Sequence, residues 1–287
     1  MAGLRHDTEG VTVAMGLVRR LIEEGVREVD RDAIKELVAA GGLGGAPRYS
    51  TLVVQEIAES PLAALASASV DWVELFDGEI PDTRRRTKEP DDWEQVMRPD
   101  LRAAITRIMA TRDLSEIRLE GAYRLASAFL LGFEISERSG VSLCMPYLGG
   151  DWSSSAEREG LRTEVDIREI GQGNELAVAI AVSASLVDDV ERQVAENELP
   201  ISRCLVISPV DGPGRDSIPG PGAARSFAES CVDICRETAA GVDRLHLFLA
   251  TPRPLAMMLG RVWNRLPPTL VYADLNPGYG PTYLVET

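Results

Sequence analysis

Apolar and polar positions along this chain fall into short unbroken runs separated by stretches of helical spacing. Residues 245–250, LHLFLA, form an apolar run of strand length with no alternation, as expected for a strand buried on both faces. Thr251-Pro252-Arg253-Pro254 stops it, and both prolines suit a helix entry, because the first turn asks no backbone donor of them. Leu255, Met258, Leu259 and Val262 then recur at helical spacing, with Gly260 among them. Pro267-Pro268 closes that helix, Leu270-Val271-Tyr272 opens another strand, and residues 281–285 read as a terminal one. Strand, helix, strand is the unit of a parallel sheet.

The same unit occurs earlier. A shift of 128 residues lays residues 117–144 on 245–272 without a gap, and Leu119, Ala122, Ala128, Leu131 and Gly132 meet Leu247, Ala250, Ala256, Leu259 and Gly260. The shared order of apolar strand, short turn, helix with an internal glycine, and strand implies two similar α/β halves in one chain.

Residues 1–69 read differently, as a small helical module. Val13, Leu17, Leu21 and Val26 predict a first helix; Ile34, Leu37 and Val38 a second, capped by Asp30 or Asp32. Gly41-Gly42-Leu43-Gly44-Gly45 breaks it. Ser50 or Thr51 suits the cap of a third through Val53, Val54 and Ile57, and a fourth is expected over 61–69. Residues 77–91 are a charged connector whose basic point is Arg84-Arg85-Arg86, read either as a solvated loop or as one reaching a ligand or a neighbouring subunit. A helix over 93–110 has Val96, Leu101, Ile105 and Met109 on its apolar face. After the first unit, 163–169 alternates as a strand, and 171–174 is a hairpin-like turn to a partner strand over 175–183. A helix at 188–197, a strand at 201–207, a Pro- and Gly-rich loop at 208–222 and a helix at 223–239 lead to the final unit.

With 287 residues there is room for an ample core, and no apolar run reaches the length of a membrane span. The first ten residues lack the apolar core of a signal peptide, so a cytoplasmic protein without membrane contact is the expectation. The net charge of −15 argues against wrapping long nucleic acid but leaves room for a small anion held by a few arginines and helix N-termini.

Catalytic signals are missing. There are two histidines, His6 near the terminus and His246 inside a strand, where a core role is expected; no phosphate-loop, dinucleotide or HExxH motif is present. Cys144, Cys204, Cys231 and Cys235 lack metal-ligand spacing and read as buried free thiols. No catalytic residue, metal site or cofactor is therefore assigned. A binding site is better supported, because open α/β sheets bind ligands beyond the carboxyl ends of their strands. Five loops are candidates: Gly121 to Arg124, with Tyr123 to stack a base and Arg124 to pair a phosphate; Trp152-Ser153-Ser154; the polar loop 208–215, with Pro209 and Asp211; Thr251-Pro252-Arg253; and residues 276–279, ending in Tyr279. Core packing of Tyr123 and Trp152, and solvent exposure of Arg124 and Arg253, are the competing readings. Under the 128-residue shift the two arginines fall within one residue of equivalence.

The stretches HLFLATPRPLAMMLGRVWN and LVYADLNPGYGPTYLVE resemble the C-terminal half of a SAVED domain. DWEQVMRPDLRAAI, IRLEGAYRLASAFLLGFEISERSGVSL and DWSSS resemble its N-terminal half. The resemblance covers residues 70–287 and implies an α/β fold of two Rossmann-like, CARF-like subdomains in tandem, about 70–160 and 161–287, preceded by the helical module of 1–69. It implies a sensor of a cyclic tri- or tetranucleotide in anti-phage defence, of the CBASS or type III CRISPR kind. Such a sensor would respond by ligand-induced homo-oligomer or filament formation, or through a separate effector reached by residues 1–69. A ring nuclease, which cleaves the same messenger, and a DNA-binding regulator using the N-terminal helices are the alternatives.

Overall fold

A computed structural model of the chain describes residues 3–4, 19, 21, 44–45, 49–111 and 114–286. Strands β1 (Gly3–Leu4) and β2 (Gly44–Gly45) form a small antiparallel pair. Arg19 and Leu21 are helical; the rest of the first two expected helices lies outside the described residues.

The third expected helix is a strand, β3 (Tyr49–Gln55), and the fourth is a 3-10 turn at Pro61–Leu65 followed by strand β4 (Ala68–Asp71). Ser50 and Thr51 resemble helix caps, but β-branched Thr51, Val53 and Val54 suit a central strand, and pairing on both sides decides the outcome. The helix expected over 93–110 starts as a π-helical turn, Trp93–Met97, and continues as α1 (Arg98–Met109). Its buried face is Trp93, Met97, Leu101, Ala104, Ile105 and Ile108, so Met109, assigned to that face from spacing, is exposed. Then come β5 (Glu116–Ala122), α2 (Leu125–Glu134), β6 (Ser142–Tyr147) and β7 (Gly150–Ser153). The first sheet has the order β4-β3-β5-β6-β7, parallel except for β7. It thus draws on residues ahead of position 70.

The second half contains β8 (Thr163–Glu169), β9 (Glu175–Ala181), α3 (Val187–Glu196), β10 (Ile201–Pro209) and α4 (Pro221–Thr238). It ends with β11 (Leu245–Ala250), α5 (Arg253–Val262), β12 (Thr269–Asp274) and β13 (Tyr279–Val285). Its sheet order is β13-β12-β11-β9-β10-β8. The hairpin expected between β8 and β9 does not form, because β10 lies between them. Composition accounts for this: β9 is apolar on both faces and takes a central parallel place, whereas β8 is polar and takes the edge. Without β8, both sheets share one pattern: the second strand of each half lies outside the first, the third and fourth lie on its other side, and an antiparallel fifth closes the edge. The duplication read from the sequence is present in the topology, and α2 and α5 lie 128 residues apart at both ends.

One core runs through both halves. Leu176, Val178 and Ile180 of β9 face it together with α2, α4 and α5, while Ala177, Ala179 and Ala181 face a smaller cluster under α3. The halves join where α2 crosses α5. A Cβ at Gly132 would collide with the Met257 carbonyl, and one at Gly260 with the Phe129 carbonyl. Gly132→Ala and Gly260→Ala should each destabilise the fold by about 1–3 kcal/mol, because backbone is what must move. Gly160→Ala, which meets nothing within 4 Å, should stay within about 0.5 kcal/mol. Chemical denaturation of the three variants checks this.

Candidate functional site

Each sheet reverses its strand order at one point, between β3 and β5 in the first half and between β9 and β11 in the second, and ligands of open α/β sheets sit at such points. The strand ends there close alike. Glu56 N and Ile57 N both donate to Ala122 O, at 3.0 and 2.9 Å; Val182 N and Ser183 N both donate to Ala250 O, at 2.9 and 2.7 Å.

Beyond these ends runs a groove. A cleft of about 340 Å³ is lined by Arg84, Arg85, Tyr123, Arg124, Arg253 and Asp274, among others. A wider one of about 540 Å³ is lined by Ser183, Ser185, Asp189, Arg192, Thr251 and Tyr279, among others. They share Leu125, Leu249 and Asp274, so the groove is continuous from one half to the other. The first cleft carries four arginines against Asp82 and Asp274, a local excess of positive charge on an acidic chain.

The arginines are not equivalent. Arg124 Nη1 lies 2.8 Å from Oε1 of Glu56, which is fully buried, and the Arg124 amide donates to Oε2 at 3.1 Å. The guanidinium also rests on Phe76, 4.4 Å from the ring centre. Glu56 thus neutralises Arg124 and fixes the start of α2. Arg253 crosses between halves: its Nη1 donates to Gly121 O at 3.0 Å, and its guanidinium lies 5.2 Å from the Tyr123 ring centre. Gly121 has φ +103°, and Val54 O leaves no space for a Cβ.

Two hydroxyls in the groove lack partners. Tyr123 Oη and Thr251 Oγ1 are buried without a hydrogen bond. Burial pushes the Tyr123 phenol up from its ordinary value, with Arg253 opposing. Unsatisfied buried polar atoms are uncommon, and both of these residues belong to the walls of the clefts, with the hydroxyls themselves enclosed.

His246 is a core residue, as expected. Its Nε2 lies 2.6 Å from Glu175 Oε2 and its Nδ1 3.0 Å from Tyr272 Oη, near the amino end of β11 and away from the groove. The four cysteines are buried and free. Among the described residues there is no cluster suited to holding a metal, and no helix long and apolar enough to cross a membrane.

A family profile described as the SMODS-associated and fused to various effectors sensor domain, SAVED, matches residues 99–284. The chain belongs to the SAVED family. Among solved structures, the Acinetobacter baumannii Cap4 SAVED/CARF-domain receptor with the cyclic trinucleotide 3′3′3′-cAAA superposes with a TM-score of 0.67 at 16% identity, over 89% of this chain and 55% of that one. The Moraxella osloensis Cap4 receptor gives 0.60 at 16% identity, over 89% and 54%. CD-NTase-associated protein 4 of Enterobacter hormaechei is 23% identical over 221 residues, which are 74% of this chain and 43% of the relative. The chain spans about half the length of these relatives.

Of the residues singled out from sequence, this SAVED structure brings Tyr123, Arg124, Thr251, Arg253 and Tyr279 to the groove. Gly121 supplies a carbonyl beneath it, and Pro252 caps α5. Pro209 and Asp211 lie at the same end of the second sheet without lining either cleft. Trp152, Ser153 and Ser154 are not brought there. Trp152 is buried on β7 against Tyr147, with ring centres 5.2 Å apart, and Ser154 Oγ accepts from Leu143 N at 2.9 Å, towards the amino end of β6. The sequence reading missed Asp274, Ser183, Ser185 and Arg192. Asp274 ends β12, Ser183 and Ser185 lie in a polar turn and Arg192 on α3, and only the sheet order makes them neighbours.

Removing Glu56 should leave Arg124 largely buried without a counter-charge, so Glu56→Ala should lower stability by about 3–5 kcal/mol in a denaturant titration. His246 gives a second test. Burial holds its imidazole below the ordinary value, with Glu175 opposing. The neutral form is therefore favoured in the fold, and its contribution is complete above about pH 6.5, the unfolded value, and is lost as pH falls below it. Stability followed from pH 7.5 down to about 5.5 should fall, and less steeply in His246→Asn.

Proposed function

We propose that this SAVED domain senses a cyclic oligonucleotide, a cyclic trinucleotide first, held across the groove between its two halves. The observation that carries this is the groove itself: four arginines, contributed by both halves, lining one cleft on a chain of net charge −15. A ring of nucleotides offers phosphates to arginines and base edges to hydroxyls at once, and can span both clefts. The Cap4 receptor with 3′3′3′-cAAA shares this fold, which supports the reading.

In this reading the ligand acts as a cross-brace. Arg253 already ties the second half to Gly121 of the first, and a ligand touching both sides fixes their angle. Two similar but unequal halves give each copy two different faces, and a head-to-tail contact between such faces tends to open filaments. The ligand drives this assembly only by preferring the assembly-ready state, so affinity and assembly rise together. The assembled chains then present the segment ahead of β3 to a separate effector in CBASS-type defence.

Thermal shift with 3′3′3′-cyclic tri-adenylate tests binding, since a ligand of the folded state raises the melting point; no shift at any concentration sinks the reading. Arg253→Ala should weaken binding by about 1.5–3 kcal/mol, and Arg253→Lys should restore part. Thr251→Val should stabilise the free protein by roughly 1 kcal/mol in a denaturant titration, because it removes an orphaned buried hydroxyl. Light scattering with and without ligand checks assembly; tight binding by a chain that stays monomeric would remove the filament from the proposal.

A further inference from the structure

Between β4 and α1 the chain forms a strap over the mouth of the smaller cleft. Its legs are joined: Phe76 bridges Thr87, Asp77 N donates to Arg86 O at 2.8 Å, and Lys88 N donates to Leu75 O at 2.8 Å. Its turn is clamped by Arg84, which donates to the carbonyls of Ile57, Gly78 and Glu79 at 3.1, 3.2 and 3.2 Å. That guanidinium is committed to holding the strap. Arg85, the next residue, is held far less. Its Nε donates to Asp82 O at 3.3 Å, and its Nη1 stands 3.9 Å from Asp274 Oδ2, with the arginine side chain 36% and the aspartate 62% exposed. Asp274 ends β12 in the second half and also accepts from Asn276 N at 2.8 Å. The pair therefore joins the halves across the groove.

We propose that Arg85 is a phosphate-binding residue of the groove, and that Asp274 is its placeholder in the free chain. This rests on the reading of the groove as a cyclic-oligonucleotide site. Arg124 is neutralised by Glu56, Arg84 is occupied by carbonyls, and Arg253 gives Nη1 to Gly121 and rests on the Tyr123 ring; Arg85 spends Nε on Asp82 O and meets Asp274 only at 3.9 Å, so its outer nitrogens can turn to an anion. An exposed ion pair at this separation contributes little, about 0–1 kcal/mol, so exchanging its carboxylate for a phosphate costs little. A phosphate offers the planar guanidinium two acceptors. The strap is already ordered by its own hydrogen bonds, so binding does not have to immobilise it. Residues 77–91 lie ahead of the segment matched by the family profile.

Calorimetric titration with 3′3′3′-cyclic tri-adenylate, at several salt concentrations, tests this in wild type, Arg85→Ala, Arg85→Lys, Asp274→Asn and the Arg85→Ala/Asp274→Asn double variant. Arg85→Ala should weaken binding about tenfold or more. It should also lower the slope of log affinity against log salt by about one, which loss of a structural contact would not do. Lysine should recover part of the loss. Asp274→Asn, which keeps an acceptor for Asn276, should tighten binding roughly two- to fivefold, and the gain should vanish once Arg85 is alanine. If wild type binds no ligand, the reading of the groove falls and this inference with it. If wild type binds and Arg85→Ala is unchanged in affinity and salt slope, this inference alone falls. Weaker binding by Asp274→Asn would overturn the placeholder role.

Discussion

The crossing of α2 and α5 is a backbone-to-backbone contact, and the architecture of both halves depends on it. Gly132 faces Met257 and Arg261, and Gly260 faces Phe129 and Phe133. The 128-residue offset carries each contact onto the other, so the crossing point lies on the pseudo-twofold axis of the duplication. At this separation no side-chain rotamer relieves a clash, because carbonyl oxygens and amides occupy the space. The close approach brings α2 against β12 and β13, and α5 against β6, so each helix packs on the other half's sheet and the core becomes single. Glycine sets the distance but gives no grip along the helix. Arg261 adds that grip: its guanidinium donates to the carbonyls of Ile135 and Val141, just beyond the end of α2, and burial holds its pKa below the ordinary value. A cation at a helix C-terminus is favourably placed. Its pseudo-equivalent is Phe133, so the lock works in one direction and breaks the symmetry.

The groove inherits this combination of symmetric backbone and asymmetric side chains. The paired amides that close on Ala122 and Ala250 place Glu56 and Val182 at matching positions. Glu56 is ionic and captures Arg124; Val182 captures nothing, and the groove widens there over Ser183 and Thr251. A ring of repeated units that spans both clefts meets two different half-sites. On the proposed reading such a ring would have preferred orientations, with the two halves contributing unequally to its binding.

The second half was more legible in sequence than the first. Residues 245–285 gave up their elements because apolar runs, prolines and helical spacing are local signals, and the helix glycines exposed the repeat. Strand β3 was misread because its identity is non-local. YSTLVVQ begins with residues suited to a helix cap, and only pairing with β4 and β5 shows it to be the central strand. The β8–β9 hairpin failed because the short turn between them was weighed above composition: polar β8 suits an edge and apolar β9 a central place, but neither strand names β10 as the one between them. In the site, Arg253, Tyr123 and Thr251 were found because they follow strands that end at one edge. Trp152 was grouped with them because a polar turn with an aromatic looks the same whether the ring faces solvent or core. Arg85 was visible only as part of a basic triplet; what separates it from Arg84 is which carbonyls each can reach.

Charge then shapes what can use the groove. The acidic chain places like charge around a cleft in which four arginines outnumber two aspartates. At physiological salt, exposed charges act over a screening length of about 8 Å. A long duplex laid across the mouth must bring many phosphates near the acidic exterior while few reach the arginines. A small ring of the proposed kind has few phosphates and can bring a larger share of them to the arginines. On the proposed reading, the arginines attract a small anion while the net acidity of the chain opposes a long one. Glu56 refines this from beneath. By pairing with Arg124 it takes one positive charge out of the cleft, and Arg253, tied to Gly121 O by one nitrogen, remains at the junction of the halves as the proposed partner of an anion.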